Sequence, residues 1–333
     1  MFQPLFCPYP PSPNHRAAPA GFYVRHGHYH PRCRSHPVPR FLCRLCKRSF
    51  SRQSFCADRR HKKPHLNAPF LRLMVSCVGL RQAARALQVS RRTVERRFHW
   101  LALHARHFHL NRLRSRLLLG PFQLDELESF ESNRYQPLTV PVLIERHTLF
   151  ILATSTAPLR RKGRLTPRQH RLRARHEAVH GRRPSQSSPA VREVLEALRD
   201  AVSAPLPVVL ESDEKPLYGA LGHKIMGKRF VWRTHSATAR RDHANPLFPV
   251  NHTNARLRHF MSRLRRRTWC VSKRRACLQR HLWIVMLWAN YCRGITNRTH
   301  TTPAQALGLA ERAYRPEEVL RFREDWGRMP VAA

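Results

Sequence analysis

The sequence predicts a mixed α/β fold, with a sheet of strands and helices preceded by a small cysteine-bearing segment and an all-helical pair. Three observations lead there. Two apolar helical stripes lie within "LRQAARALQVSRRTVERRFHWLALHA", and β-rich runs follow in "FQLDEL" and "LTVPVLIERHTLFILATSTAP". Helical and strand-like patterns then alternate through "AVREVLEALRDAV" and "PLPVVLESDEKPLYGAL". The 333 residues are 42% hydrophobic and include six Trp, enough to bury a core.

Charge narrows the partner. Lys and Arg number 62 against 20 Asp and Glu, a formal net charge of +42. Such an excess repels itself unless a polyanion neutralises it, so DNA or RNA is the expected partner. A ribosomal-type basic protein without chemistry satisfies the same balance. An acidic membrane surface fits less well, because the cations run the whole length. Nine Cys, irregularly spaced, read as reduced thiols of a cytoplasmic protein rather than a disulfide framework. The longest apolar run, Leu282 to Cys292, is too short to span a bilayer and reads as a buried helix.

Taken in order, the first 40 residues are rich in Pro, His and Arg and predict turns. In "FLCRLCKRSFSRQSF", Cys43 and Cys46 have the spacing of one zinc-ribbon knuckle, two thiolates of one tight turn reaching the same ion. A complete ribbon needs two more ligands. Cys7, His15 and Cys33 lie upstream, and a decayed, metal-free ribbon is the alternative. Next, Leu80, Ala84 and Leu87 form one stripe and Val94, Phe98 and Leu101 another, with Ser90 placed to cap the second helix. Arg91, Arg92, Arg96 and Arg97 are exposed on that second helix, as a helix-turn-helix that enters the major groove requires.

A basic connector leads to the strands. Residues 160 to 200 read as charged helix, Arg- and His-rich at first, with Val191, Val194, Leu195 and Leu198 on one later face. "PLPVVLESDEKPLYGAL" returns to strand, and two helices broken near "TWCVSK" span about Thr253 to Cys292. These limits divide the chain into a zinc-ribbon-like segment (1–65), a helix-turn-helix (66–118), a mixed strand-and-helix core (119–300, with a helical insertion near 160–203) and a helical tail (301–333).

The few acids cluster in "FQLDELESFE" and "ESDEKPLY". In a mixed α/β core, Asp125 and Asp213 would lie near the ends of neighbouring strands. Two carboxylates brought together in so cationic a chain can hold Mg²⁺, which prefers hard oxygen ligands. Glu126, Glu128 and Glu131 read as partners of nearby arginines instead. Trp232 and Trp269 read as core residues.

The ribbon knuckle, the helix-turn-helix, "DELESFE", "ESDEKPLY" and "NHTNARLRHFMSRLRRRTWCVSKR" occur in an order that resembles DDE-type insertion-sequence transposases, closest to the insertion-sequence-1 family and its relatives. "LRHFMSRLRRRTWCVSK" is the most specific piece, and the similarity runs from about Cys43 to Arg293. The resemblance implies a ribonuclease-H-like catalytic domain that cleaves and joins DNA strands with Mg²⁺ or Mn²⁺. It implies Asp125 and Asp213 as the first two catalytic acids and metal ligands. The third acid, a Glu in the family, falls at Asn251, which offers oxygen but no charge; His252, Glu214 or Glu128 could compensate, or the copy is inactive. Lys215, Lys224, Lys228 and Arg229 would hold phosphates around the site. Arg256, Arg258, Arg263, Arg265, Arg266, Arg267 and Lys273 would form a cation row along the last helices. The implied partner is double-stranded DNA, element ends and target, bound by a homodimer at the nucleoid.

Overall fold

Residues 2–22 turn and bend as Pro and His predict, but an antiparallel sheet follows, of β1 (Tyr23–Tyr29), β2 (Val38–Cys43) and β3 (Ser49–Ser51). This computed structural model describes residues 2–31, 36–59, 61–114, 118–161, 163–202, 205–236, 238–240, 242–265 and 269–321. Aromatic packing overrides the turn formers: Phe22, Phe41 and Phe50 are buried together with Cys7 and Cys43. Pro39 sits beside the register irregularity between Arg25 and His28, a place where a strand tolerates proline.

Three helices follow, α1 (Asn67–Met74), α2 (Leu80–Ala86) and α3 (Arg91–Leu113). Ser90 caps α3 by accepting from the Thr93 N–H at 3.2 Å, and Gln88 takes a positive φ of 50° in the turn. The basic connector, expected to be helical, begins as a continuation of α3 as far as Leu113, because Ala102, Ala105, Phe108 and His109 prolong its buried stripe.

The main sheet starts with β4 (Phe122–Phe130), β5 (Pro137–Glu145), β6 (Ile151–Thr154) and the short β7 (Ala157–Pro158). Helices α4 (Pro167–His180) and α5 (Ser187–Ala201) precede β8 (Val208–Ser212), α6 (Pro216–Met226) and β9 (Phe230–Thr234). The order is β6-β5-β4-β8-β9, with β7 on β5. β4, β5 and β6 are antiparallel, whereas β4, β8 and β9 run parallel. The strand expected in "PLPVVLESDEKPLYGAL" ends at Ser212, within the acid cluster, and Pro216 then opens a helix where its missing N–H costs nothing. β9 was invisible in the sequence: only Phe230 of its five residues is buried, so it carries no alternation.

Then come α7 (Phe248–Phe260), α8 (Arg275–Tyr291), α9 (Pro303–Ala306) and α10 (Pro316–Arg321). Strand pleating gives each sheet face its own cover. Leu127, Val140 and Val142 pack with α7, α8 and the helices α1 to α3. Phe122, Leu124 and Leu210 pack with α5 and α6. Leu282, Val285 and Leu287 of the apolar run are fully buried in α8. Among the described residues, no helix is long and apolar enough to cross a membrane.

Candidate functional site

Parallel pairing brings the two acid clusters together. Phe122 lies opposite Leu210 and Gln123 opposite Glu211. The paired register ends there, two residues before Asp125 of β4 and before Asp213, the first residue past β8. A buried clamp docks α7 on the same face. Gln123 donates to Glu211 Oε2 (2.9 Å) and the Pro246 carbonyl (2.7 Å), and its Oε1 accepts from the Val250 N–H (3.1 Å). Arg146 closes the set by donating to Glu211 Oε1 at 2.8 Å.

So held, α7 delivers a residue the sequence reading passed over. Asn254 Nδ2 donates to Asp125 Oδ2 at 2.8 Å, and the buried Asn254 Oδ1 has no hydrogen-bond partner among the described residues. Asn251 lies three residues earlier and half-buried, on the same side of the helix. The one-turn spacing was the available signal for Asn254. Asp125 Oδ1 also accepts from the Glu126 N–H, and Asp213 Oδ1 from the Lys215 N–H (3.3 Å). Of the substitutes for the third acid, Glu128 and Glu214 are exposed and His252 stacks on Phe248.

Glu126 points to the opposite sheet face. Its carboxylate accepts from Lys215 Nζ (2.5 Å), the Ser187 hydroxyl (2.9 Å), Thr139 and the Tyr218 hydroxyl (3.2 Å). Lys215 is thus engaged with a carboxylate. Burial, followed by the charges of Glu126, Asp213 and Asp125, pushes the Tyr218 hydroxyl well above its ordinary range. Glu131 takes Arg183 at 3.2 Å and the Arg275 N–H at 2.6 Å, whereas Glu126 pairs with lysine and not with arginine.

The expected DNA contacts differ in their freedom. Arg92 and Arg96 are exposed on α3, and Arg91 is exposed but paired with Glu95 at 2.7 Å. Arg97 turns inward to Asn67, to His61 Nδ1 (2.7 Å) and to the Lys63 carbonyl (2.9 Å). Lys273 is exposed and Arg258 is half-buried, while Arg266 and Arg267 lie outside the described residues. Trp232 packs as expected and donates to Ser212 at 2.8 Å. Trp269 does not: it is 98% exposed, in the turn between α7 and α8.

At the N-terminal sheet, Cys7 joins Cys43 and Cys46, all three sulfurs lying within 4.8 Å of one another. Cys7 and Cys46 Sγ stand 3.7 Å apart, close to the roughly 3.8 Å edge of a tetrahedron with Zn–S bonds of about 2.3 Å. The donor set can hold a metal. Burial pushes the Cys7 thiol up to about 12. Burial also pushes Cys43 up, but the N–H groups of Cys46 and Leu45 and the Asn14 and Ser12 side chains outweigh it and bring that thiol to about 6. His15 Nδ1 donates to the Cys7 carbonyl at 2.7 Å, and Cys33 lies outside the described residues. Compared with known proteins, the chain matches no family model and no curated protein.

Proposed function

We propose that this protein is a DDE-type transposase that binds the ends of an insertion sequence and performs metal-dependent DNA strand cleavage and transfer. One observation carries the reading: β4 and β8 run parallel with Gln123 opposite Glu211, two residues before Asp125 and Asp213, and Asn254 of α7 bonds to Asp125. Three antiparallel strands followed by two parallel ones support a ribonuclease-H-like core. The capped pair α2 and α3, with Arg92 and Arg96 exposed, supports a helix-turn-helix for the element ends, which a homodimer would pair.

The donor chemistry fits a hard cation. Asp125 and Asp213 offer carboxylate oxygens, and Asn254 offers a buried carbonyl oxygen with no other partner among the described residues. Mg²⁺ or Mn²⁺ held there would stabilise charge at phosphorus and lower the pKa of an attacking water or 3′-hydroxyl. The protein's own part is positional. Gln123 and Glu211 fix α7 against the strands, and Glu126 ties down Lys215, whose N–H orients Asp213.

A second reading, a copy that binds DNA without cutting it, is favoured by one fact: α7, "FPVNHTNARLRHF", contains no carboxylate. Supercoiled DNA carrying the element ends, assayed with and without Mg²⁺ or Mn²⁺, separates the two. Strand cleavage is expected to need the metal and to fall at least about a hundredfold in Asp125→Ala and Asp213→Ala. If Asp125→Ala cuts as well as the wild type, the catalytic assignment is wrong. If nothing cuts but Asn251→Glu does, the chain is a DNA-binding relative that lacks its third acid.

A further inference from the structure

Helix α4 has 14 residues and buries none of them. Leu172 and Val179 are exposed along with its polar residues, so the hydrophobic effect does not hold it in place. Local signals make the helix. Thr166 and Gln169 form a capping box, Pro167 stands in the first turn and Gly181 follows with a φ of 75°. Its single acid, Glu177, is taken by Arg160 from outside the helix at 3.4 Å.

The anchored and open faces are distinct. Gln169, Arg173, His176 and Glu177 are half-buried and turn toward the protein, where His176 meets Gln136. Arg168, Arg171 and Arg175 are exposed, and the helical repeat of 100° per residue puts them on the opposite side, within about 60° of one another. No ion pair to an acid holds any of the three among the described residues. Spaced three and four residues apart, they repel one another. A solvated face normally intersperses both signs, whereas this stripe lowers its energy only when an anion covers it.

We infer that the Arg168–Arg171–Arg175 stripe docks on the phosphate backbone of duplex DNA, as a sequence-independent grip separate from α3. It rests on the DNA-binding part of the proposed function and needs none of its chemistry. The insertion is tethered to the far end of β4, through Arg183 to Glu131 and Arg161 to the Arg134 carbonyl. Glu131 lies six residues beyond Asp125, about 20 Å along an extended strand, which corresponds to about six base pairs of duplex. The insertion's anchor therefore stands well along β4 from Asp125.

The test uses the full chain, a short labelled duplex of arbitrary sequence and no divalent metal. Binding is titrated over a range of salt. Replacing all three arginines with alanine is expected to flatten the slope of log affinity against log salt by about 2.7, about 0.9 per arginine, with the thermal unfolding midpoint unchanged. The matching triple lysine variant should keep the wild-type slope. The inference is overturned if the alanine variant keeps the wild-type slope, or if it loses binding to anionic phospholipid vesicles or single-stranded RNA while duplex binding stays intact. Wild-type protein that fails to bind duplex DNA at all overturns the proposed function as well, whereas wild-type binding with an unaffected alanine variant overturns this inference alone.

Discussion

Cys43 and Cys46 announce themselves by spacing, because one tight turn sets their separation. Cys7 does not, since folding brings it from 39 residues away to within 3.7 Å of Cys46. With three converging thiols, purified protein is expected to carry zinc. Cys7→Ser is expected to weaken that zinc by more than about tenfold, since even outer partners of a ligand are worth about 10–100-fold. Metal content after dialysis against a graded chelator reads this out, and wild-type retention by the variant would remove Cys7 from the site. Asn254 shows the opposite limit. The sequence reading chose Asn251, one turn away on the same helical face, and only the docking of α7 selects the residue that reaches Asp125.

At the scale of elements, packing decides what periodicity leaves open. α6 rests against β9 through two glycines. A Cβ on Gly222 would stand 2.1 Å from the Phe230 ring, and one on Gly219 would stand 2.3 Å from Trp232. Alanine in a helix interior ordinarily gains about 1 kcal/mol over glycine. Here overpacking costs about 1–3 kcal/mol and wins, because both rings are pinned between sheet and helix. Gly222→Ala is therefore expected to lower the urea midpoint of unfolding, and a higher midpoint would show that α6 can move away from β9. α5, with its apolar stripe, and α8, with its continuous apolar run, were plain in the sequence. β9 was not, because an edge strand with one buried residue in five has no period to detect.

Across the whole molecule, histidine burial couples stability to pH. His109 and His281 are buried, and desolvation holds them at about 4 and about 3, below the usual value near 6.5. Each accepts its proton more readily in the unfolded chain. Their contribution is therefore complete above about pH 6.5 and is lost as pH falls toward the folded values. Stability is expected to drop by about 1.4 kcal/mol per pH unit for each histidine below pH 6.5. Urea unfolding at pH 7, 6 and 5 measures it, and a flat profile would mean that neither ring is held neutral in the core.

By itself the sequence determined the +42 charge, the helical pair with its Ser90 cap, the order of the main helices and the two acid clusters. These are local properties, written in spacing, propensity and composition. The tertiary structure alone decided that β8 pairs with β4 in parallel, that Gln123 pins α7 beside them and that Cys7 reaches the knuckle. It also decided that Arg97 turns inward while Arg168, Arg171 and Arg175 of α4 face outward. Strand register and helix docking are cooperative results of burying apolar faces between distant segments, and no window of neighbouring residues contains them.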